Sequence, residues 1–176
     1  MLASAFGAAV TAGAAVVAEL NRQLVILAEQ LAKAFATHPD ARIIGSQPGL
    51  GVILGTRLLG EFGDDPDRYR DANSRRRYAG TAPITKASGT KKVVLARFVR
   101  NRHLADACYL WAFCALTHSP GARAFYDAHR ARGNNHDQAL RVLANKLVGI
   151  LDGCLRSRSL YNEATACRHQ ATREAA

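Results

Sequence analysis

Val17, Leu20, Leu24, Leu27 and Leu31 recur at intervals of three and four residues inside an unbroken stretch from about Ala3 to Phe35. That spacing puts them on one stripe of an α-helix and predicts a single long helix. Glu19, Asn21, Arg22, Gln23, Glu29, Gln30 and Lys33 take the other faces. Such a stripe is the seam of a coiled coil or helical hairpin, and equally the buried face of an ordinary core helix. Leu24-Val25-Ile26-Leu27 widens it, so contact on more than one side is expected. Residues 1–37 are read as one coiled-coil-like helix, with homo-oligomerisation through it an expectation beside the core-helix reading. Its start, MLASAFGAAVTAGAAVVA, has no Lys or Arg near the beginning and runs directly into charged helix, unlike a secretory leader. It reads as the middle of something longer, with an N-terminal part expected before it. No apolar run is read as hydrophobic enough for a membrane span, so no membrane partner is expected.

His38-Pro39-Asp40 stops this helix, because a residue before proline avoids the helical region. Asp40 is read as the cap of a short helix from Ala41 to Ser46. Then comes Gln47-Pro48-Gly49-Leu50-Gly51, with Leu50, Ile53, Leu54, Leu58 and Phe62 at helical spacing. Helix, glycine turn, helix is the plan of a helix-hairpin-helix, where Gly49 and Gly51 let backbone N–H groups approach a phosphate. The same turn also serves simply to join two packed helices. Asp64, Asp65 and Asp67 surround Pro66, which favours a turn and helix cap over a metal site. A helix is expected from Asp67 to Tyr78, a turn at Gly80 to Pro83, a loop from Thr85 to Thr90 and an extended segment from Lys91 to Arg97.

Three further helices follow. Leu104, Ala107, Cys108, Trp111 and Ala115 form the stripe of the first. Ser119 and Pro120 start the second and Gly133 ends it. Asn135 or Asp137 opens the third, whose stripe is Leu140, Leu143, Leu147, Ile150, Leu151 and Leu155. Residues 161–176 show no pattern and read as a flexible tail. The fold class is therefore mostly α: a long N-terminal helix, a helix-hairpin-helix-like pair, a basic loop and a C-terminal helical bundle, with residues 38–160 as the main domain. Cys108, Cys114, Cys154 and Cys167 form no CxxC pair, and His118, His129 and His136 share no ligand spacing, so no metal is expected in this chain.

The segment from Ser74 to Asp106 carries the chemistry. Arg75, Arg76, Arg77, Lys86, Lys91, Lys92, Arg97, Arg100 and Arg102 fall inside it, and no Asp or Glu lies between Asp71 and Asp106. A surface this one-sided attracts polyanions by releasing their condensed counterions, and the chain's net charge of +10 agrees. A hydroxyl nucleophile among such cations can attack a phosphodiester. A solvated basic face without chemistry has the same composition.

Several blocks together give a family resemblance: PGLG with LLGEFGD, RYAGTAPITKASG, VRNRHLADA, SPGARAFYD and QALRVLANKLVGIL. In this order they resemble the C-terminal transposase domain of the bacterial insertion-sequence family IS-one-ten, from about Ala34 to Thr165. The resemblance implies a DNA recombinase part in which Ser88, of the Ser88-Gly89 pair, forms a phosphoserine link to DNA. It implies Arg100, Asn101 and Leu104 as the matching basic block; Arg97, Arg100 and Arg102 are read from their charge as phosphate ligands. The resemblance further implies a guide RNA, oligomeric assembly, a cytoplasmic, nucleoid-associated setting and a RuvC-like acidic half that alone carries Mg2+. No acidic tetrad is recognised in this sequence, so an active site is expected only when both halves combine. A non-catalytic nucleic-acid-binding module and a helical oligomerisation module are the competing expectations.

Overall fold

The computed structural model describes residues 2–166. The elements are α1 (Leu2–Ala36), α2 (Ala41–Gly45), α3 (Val52–Phe62), α4 (Ala72–Tyr78), β1 (Ile84–Ser88), β2 (Lys91–Leu95), α5 (Arg102–His118), α6 (Pro120–Ala131) and α7 (His136–Ser157). The mostly helical expectation holds.

The core lies where α5 and α7 cross, with α3, α4 and α6 packed around them. Leu104, Ala107, Cys108, Trp111 and Ala115 of α5 are all fully buried, as their stripe requires. Leu140, Leu143, Leu147 and Leu151 of α7 face them, each burying a side chain worth about 1.5–3 kcal/mol. Side-chain caps fix the ends. Asn101 accepts from Leu104 N at 3.1 Å, Ser119 accepts from Ala122 N at 2.9 Å, and Asn135 with Gln138 closes a reciprocal capping box at α7.

The Pro48–Gly51 turn is fastened to α5. Trp111 Nε1 donates to Pro48 O at 3.0 Å, which satisfies the only polar atom of a buried indole. Gly49 has φ +75°, and a Cβ there would sit 2.6 Å from Ala115 N and 2.7 Å from Cys114 C. Glycine is therefore required for helix packing at this point. Gly51 opens α3 as an exposed N-cap in open space.

Several local expectations change. Asp40 stands at the N-cap of α2 but makes no capping bond; its carboxylate pairs with Arg158 instead. The helix expected from Asp67 begins only at Ala72, because Asp71 takes the cap with Ser74 N at 2.7 Å. Asp65 is spent earlier, accepting from Asp67 N at 2.9 Å in a turn. The loop expected at Thr85 to Thr90 is mostly strand. Ile84 pairs with Leu95 and Ser88 with Lys91, leaving Gly89 and Thr90 as the connection, with Gly89 at φ +55°. Residues 161–166 are held rather than loose. Tyr161 N donates to Ser46 Oγ at 2.9 Å, and the Glu163 carboxylate accepts from Ser119 Oγ and from Gly121 N at 2.8 Å. The rest of the expected tail, with Cys167, lies outside the described residues.

Helix α1 joins the body at Phe35, which is buried beside Gly55 and Ile44, and its earlier turns project from the body. Its stripe is bare: Leu20 is 57% exposed and Leu24 61%. By length and composition alone, Phe6–Ala36 also passes as a membrane-crossing helix, contrary to the reading of this stretch as insufficiently apolar.

The two glycines of one turn should behave differently. Gly49→Ala forces α5 away and places alanine at positive φ, and is expected to cost about 2 kcal/mol or more in urea unfolding. Gly51→Ser adds a favoured N-cap side chain in open space and is expected to be neutral or slightly stabilising.

Candidate nucleic-acid interface

The hairpin presents its side chains by alternation. Ser88 and Lys86 of β1 share a face with Lys91 and Val93 across the strand, while Ala87 lies on the other face. Ser88 is exposed, and no hydrogen bond to its hydroxyl is found among the described residues. Lys86 and Lys91 therefore flank an unengaged hydroxyl at the tip. Arg97 Nε donates to Ala82 O at 3.4 Å and ties the two stems at the foot of the hairpin.

A second cationic group lies below. Arg100, Arg102 and Arg141 line a hollow of about 210 Å³ floored by Ala79, Gly80 and Ala144. Gly80, at φ +71°, leaves its face free for the methylenes of Arg100, which a Cβ would strike. Asp106 also borders this hollow, but its carboxylate is paired with Arg57 at 2.9 Å. Tyr109 donates to Asp137 Oδ1 at 3.0 Å, and that bond raises the phenol's pKa, keeping it protonated. Exposed Arg77, Lys86, Lys91, Arg100 and Arg102 thus remain from the sequence set as outward-facing cations.

Other members of that set are removed from it. Arg75 is only 5% exposed: its Nε donates to Asp152 Oδ1 at 2.8 Å and its guanidinium lies over the Tyr69 ring at 4.5 Å. The pairing explains its burial and puts it out of reach of a phosphate. Arg76 is half-buried, donates to Asn145 O at 3.0 Å and lies across Gly149 of α7. Asn101 is spent on the α5 cap and on Glu61 Oε2 at 2.5 Å. Gly49 is packed against α5. Arg141 escaped the sequence reading because it falls at the edge of a leucine stripe, with no local signal beyond its charge.

The remaining reactive groups point elsewhere. Burial pushes the Cys108 thiol up to about 12, which excludes it as a nucleophile near neutral pH. The Asp71 carboxyl is held below its usual range by hydrogen bonds from the backbone and side chain of Ser74, as suits a helix cap. Among the described residues no three His, Cys, Asp or Glu converge on a metal position, and Asp64, Asp65 and Asp67 do not fit one.

Comparison with known proteins gives a consistent picture. Residues 41–127 match the family model described as Transposase IS116/IS110/IS902 family. A mini-circle protein of Streptomyces coelicolor, named as a transposase for IS117, is 48% identical over 140 residues, covering 80% of this chain and 34% of its own. The IS900 42 kDa protein of Mycobacterium paratuberculosis is 35% identical, covering 86% of this chain and 40% of its own. The IS110 43.6 kDa protein of Streptomyces coelicolor is 36% identical, covering 81% and 35%. The chain therefore spans between 34% and 40% of the length of these relatives.

The division of arginines can be tested. Arg75→Ala leaves Asp152 in the core without its first partner and is expected to cost about 3 kcal/mol in urea unfolding. Arg77→Ala, at an exposed position, is expected to stay within about 0.5 kcal/mol.

Proposed function

We propose that this chain, which belongs to the IS116/IS110/IS902 transposase family, provides the serine nucleophile and part of the DNA-holding surface of an insertion-sequence transposase. The observation that carries this reading is the unengaged Ser88 hydroxyl at an exposed hairpin tip, on one face with Lys86 and Lys91. In this reading Ser88 Oγ attacks a strand phosphorus. The Oγ–P bond forms, the bond from phosphorus to one deoxyribose oxygen breaks, and that oxygen leaves as a strand hydroxyl with a proton. The phosphodiester energy stays in the phosphoserine, so a new strand hydroxyl reverses the attack without an outside energy source. Negative charge grows on the phosphoryl oxygens in the transition state, where the two ammonium groups stabilise it.

Serine is a weak nucleophile at neutral pH and needs a proton acceptor. Among the described residues none engages Ser88, so the acceptor comes from a partner, which we assign to a RuvC-like acidic half together with Mg2+. DNA is the substrate and a guide RNA a further partner, both attracted by the net charge of +10. A second copy covers the bare stripe of α1, whose apolar residues lie at coiled-coil spacing. In this reading the protein works on DNA in the bacterial cytoplasm.

A trapping assay tests the serine chemistry. The chain is mixed with labelled element-end DNA, with and without a RuvC-like half and guide RNA, then denatured. A protein–DNA adduct is expected with the full set and is expected to vanish in Ser88→Ala while salt-sensitive DNA binding persists. An adduct that survives Ser88→Ala, or salt-sensitive binding with no adduct under any condition, would overturn the nucleophile assignment.

A further inference from the structure

Thr81 and Arg141 line two neighbouring hollows. One is the arginine pocket of about 210 Å³ already described. The other is a groove of about 480 Å³ between the foot of the hairpin and the first half of α7. Val94 and Leu95, at the end of β2 on opposite faces of the hairpin, border it together with Val142, Gln138 and Asn145. Gln138, Arg141, Val142 and Asn145 follow one another at helical spacing and so share one face of α7.

Arg141 stands where the two hollows meet. It is half-buried, and among the described residues no hydrogen bond or ion pair engages its guanidinium. This separates it from Arg75 and Arg76, which are spent inside the protein. The amides retain capacity as well. Gln138 uses its Oε1 on Asn135 N at 2.9 Å, which leaves its NH2 group for another acceptor. Asn145 Oδ1 takes only a long contact of 3.4 Å from Thr81 Oγ1.

These features match one kind of occupant. A volume of about 480 Å³ lies within the range of small-ligand sites and is far too small for a duplex. Aliphatic side chains suit the flat face of a base, amides read base edges, and a guanidinium beside two more suits a phosphate. Resting on the DNA-handling reading above, we propose that the groove holds one unpaired nucleotide of the strand that the hairpin engages. Its base lies against Val142 and the end of β2, its edge meets Gln138 and Asn145, and its phosphate lies on Arg141 with Arg100 and Arg102. A base taken out of its stack in this way separates the two strands beside the hairpin.

The test uses the full chain and three fluorescent oligodeoxynucleotides: a mixed-sequence single strand, its duplex, and the same strand with abasic sites. Affinities are measured across a range of salt. Arg141→Ala is expected to weaken single-strand binding about tenfold and to lower the log–log salt slope by about 0.7, whereas Arg141→Lys keeps the slope. The unaltered chain is expected to prefer the strand with bases to the abasic one, and the Gln138→Ala/Asn145→Ala double variant to lose that preference. Unfolding midpoints are compared alongside, and Arg141→Gln replaces Arg141→Ala if the latter fails to fold. An Arg141 variant with unchanged affinity and slope overturns the proposal, as does a base preference that is absent or survives the amide changes. If the chain binds none of the probes in a salt-dependent way, the DNA-handling reading falls too; intact binding without dependence on Arg141 removes only the nucleotide site.

Discussion

Asp152 sets the geometry on which the interface depends. Its carboxylate is 2% exposed and would be intolerable there alone, yet Arg75 and Arg156 reach it at 2.8 and 2.9 Å on separate oxygens. Arg75 comes from α4 and Arg156 from α7, so the charge fixes where α4 crosses α7. Arg156 also donates to Tyr69 O at 2.5 Å, and the Tyr69 hydroxyl donates to Phe62 O at 3.0 Å, which brings the end of α3 into the same network. A buried ion cluster of this kind adds little net stability against an apolar replacement. What it confers is register. Three helices have one arrangement that leaves no charge unpaired, and the chain leaves α4 through Gly80 and Pro83 straight into the hairpin.

Trp111 performs the matching task at the other end of α3. Its indole bond to Pro48 O and the closeness of Gly49 to the α5 backbone hold the turn before α3. With both ends of α3 fixed, α5 begins at a defined point beside Gly80, and Arg100 and Arg102 open onto the same hollow as Arg141 from α7. The basic character of the chain thereby divides into two populations. Arginines with an acidic or carbonyl partner inside, such as Arg75, Arg76 and Arg156, build the frame. Those left facing hollows or solvent give the outward field that draws a polyanion.

This division explains how much could be read beforehand. The stripes of α5 and α7 were legible because burial on one helix face is a local pattern of period 3.6. The cap at Ser119 was legible for the same reason, being set by the few residues around it, and Asn135 was one of two candidates for the start of α7. Arg75 and Arg77 look identical in sequence, and what separates them is Asp152, 77 residues further along the chain from Arg75. Glu163 gave no signal either, since the helix start it covers, at Ser119 and Gly121, is more than forty residues earlier. The Thr85–Thr90 hydroxyls suggested a loop, but Ile84 and Thr85 opposite Val94 and Leu95 favour a strand pair strongly enough to reduce the connection to Gly89 and Thr90. Arg141 required the fold itself, because its setting comes from the hairpin and α5 as much as from α7.

The hairpin then has a particular mechanical status. Its strands pack chiefly on each other, and Val93 and Val94 stay exposed at 45% and 63%. A lone two-stranded ribbon is marginal in water, whereas the attack proposed for Ser88 would need its hydroxyl held within a few tenths of an ångström of a productive approach. The body beneath is tied by the Asp152 ion cluster and the Trp111–Pro48 bond, whereas the strands of the hairpin that bears Ser88 pack chiefly on each other. A strand gripped at the foot of the hairpin would supply apolar contact to Val94 and Leu95 and charge to the arginine hollow together. Under the proposed function, ordering of the tip and binding of DNA would be one event, and the Ser88 hydroxyl would become positioned when there is a phosphate for it to meet.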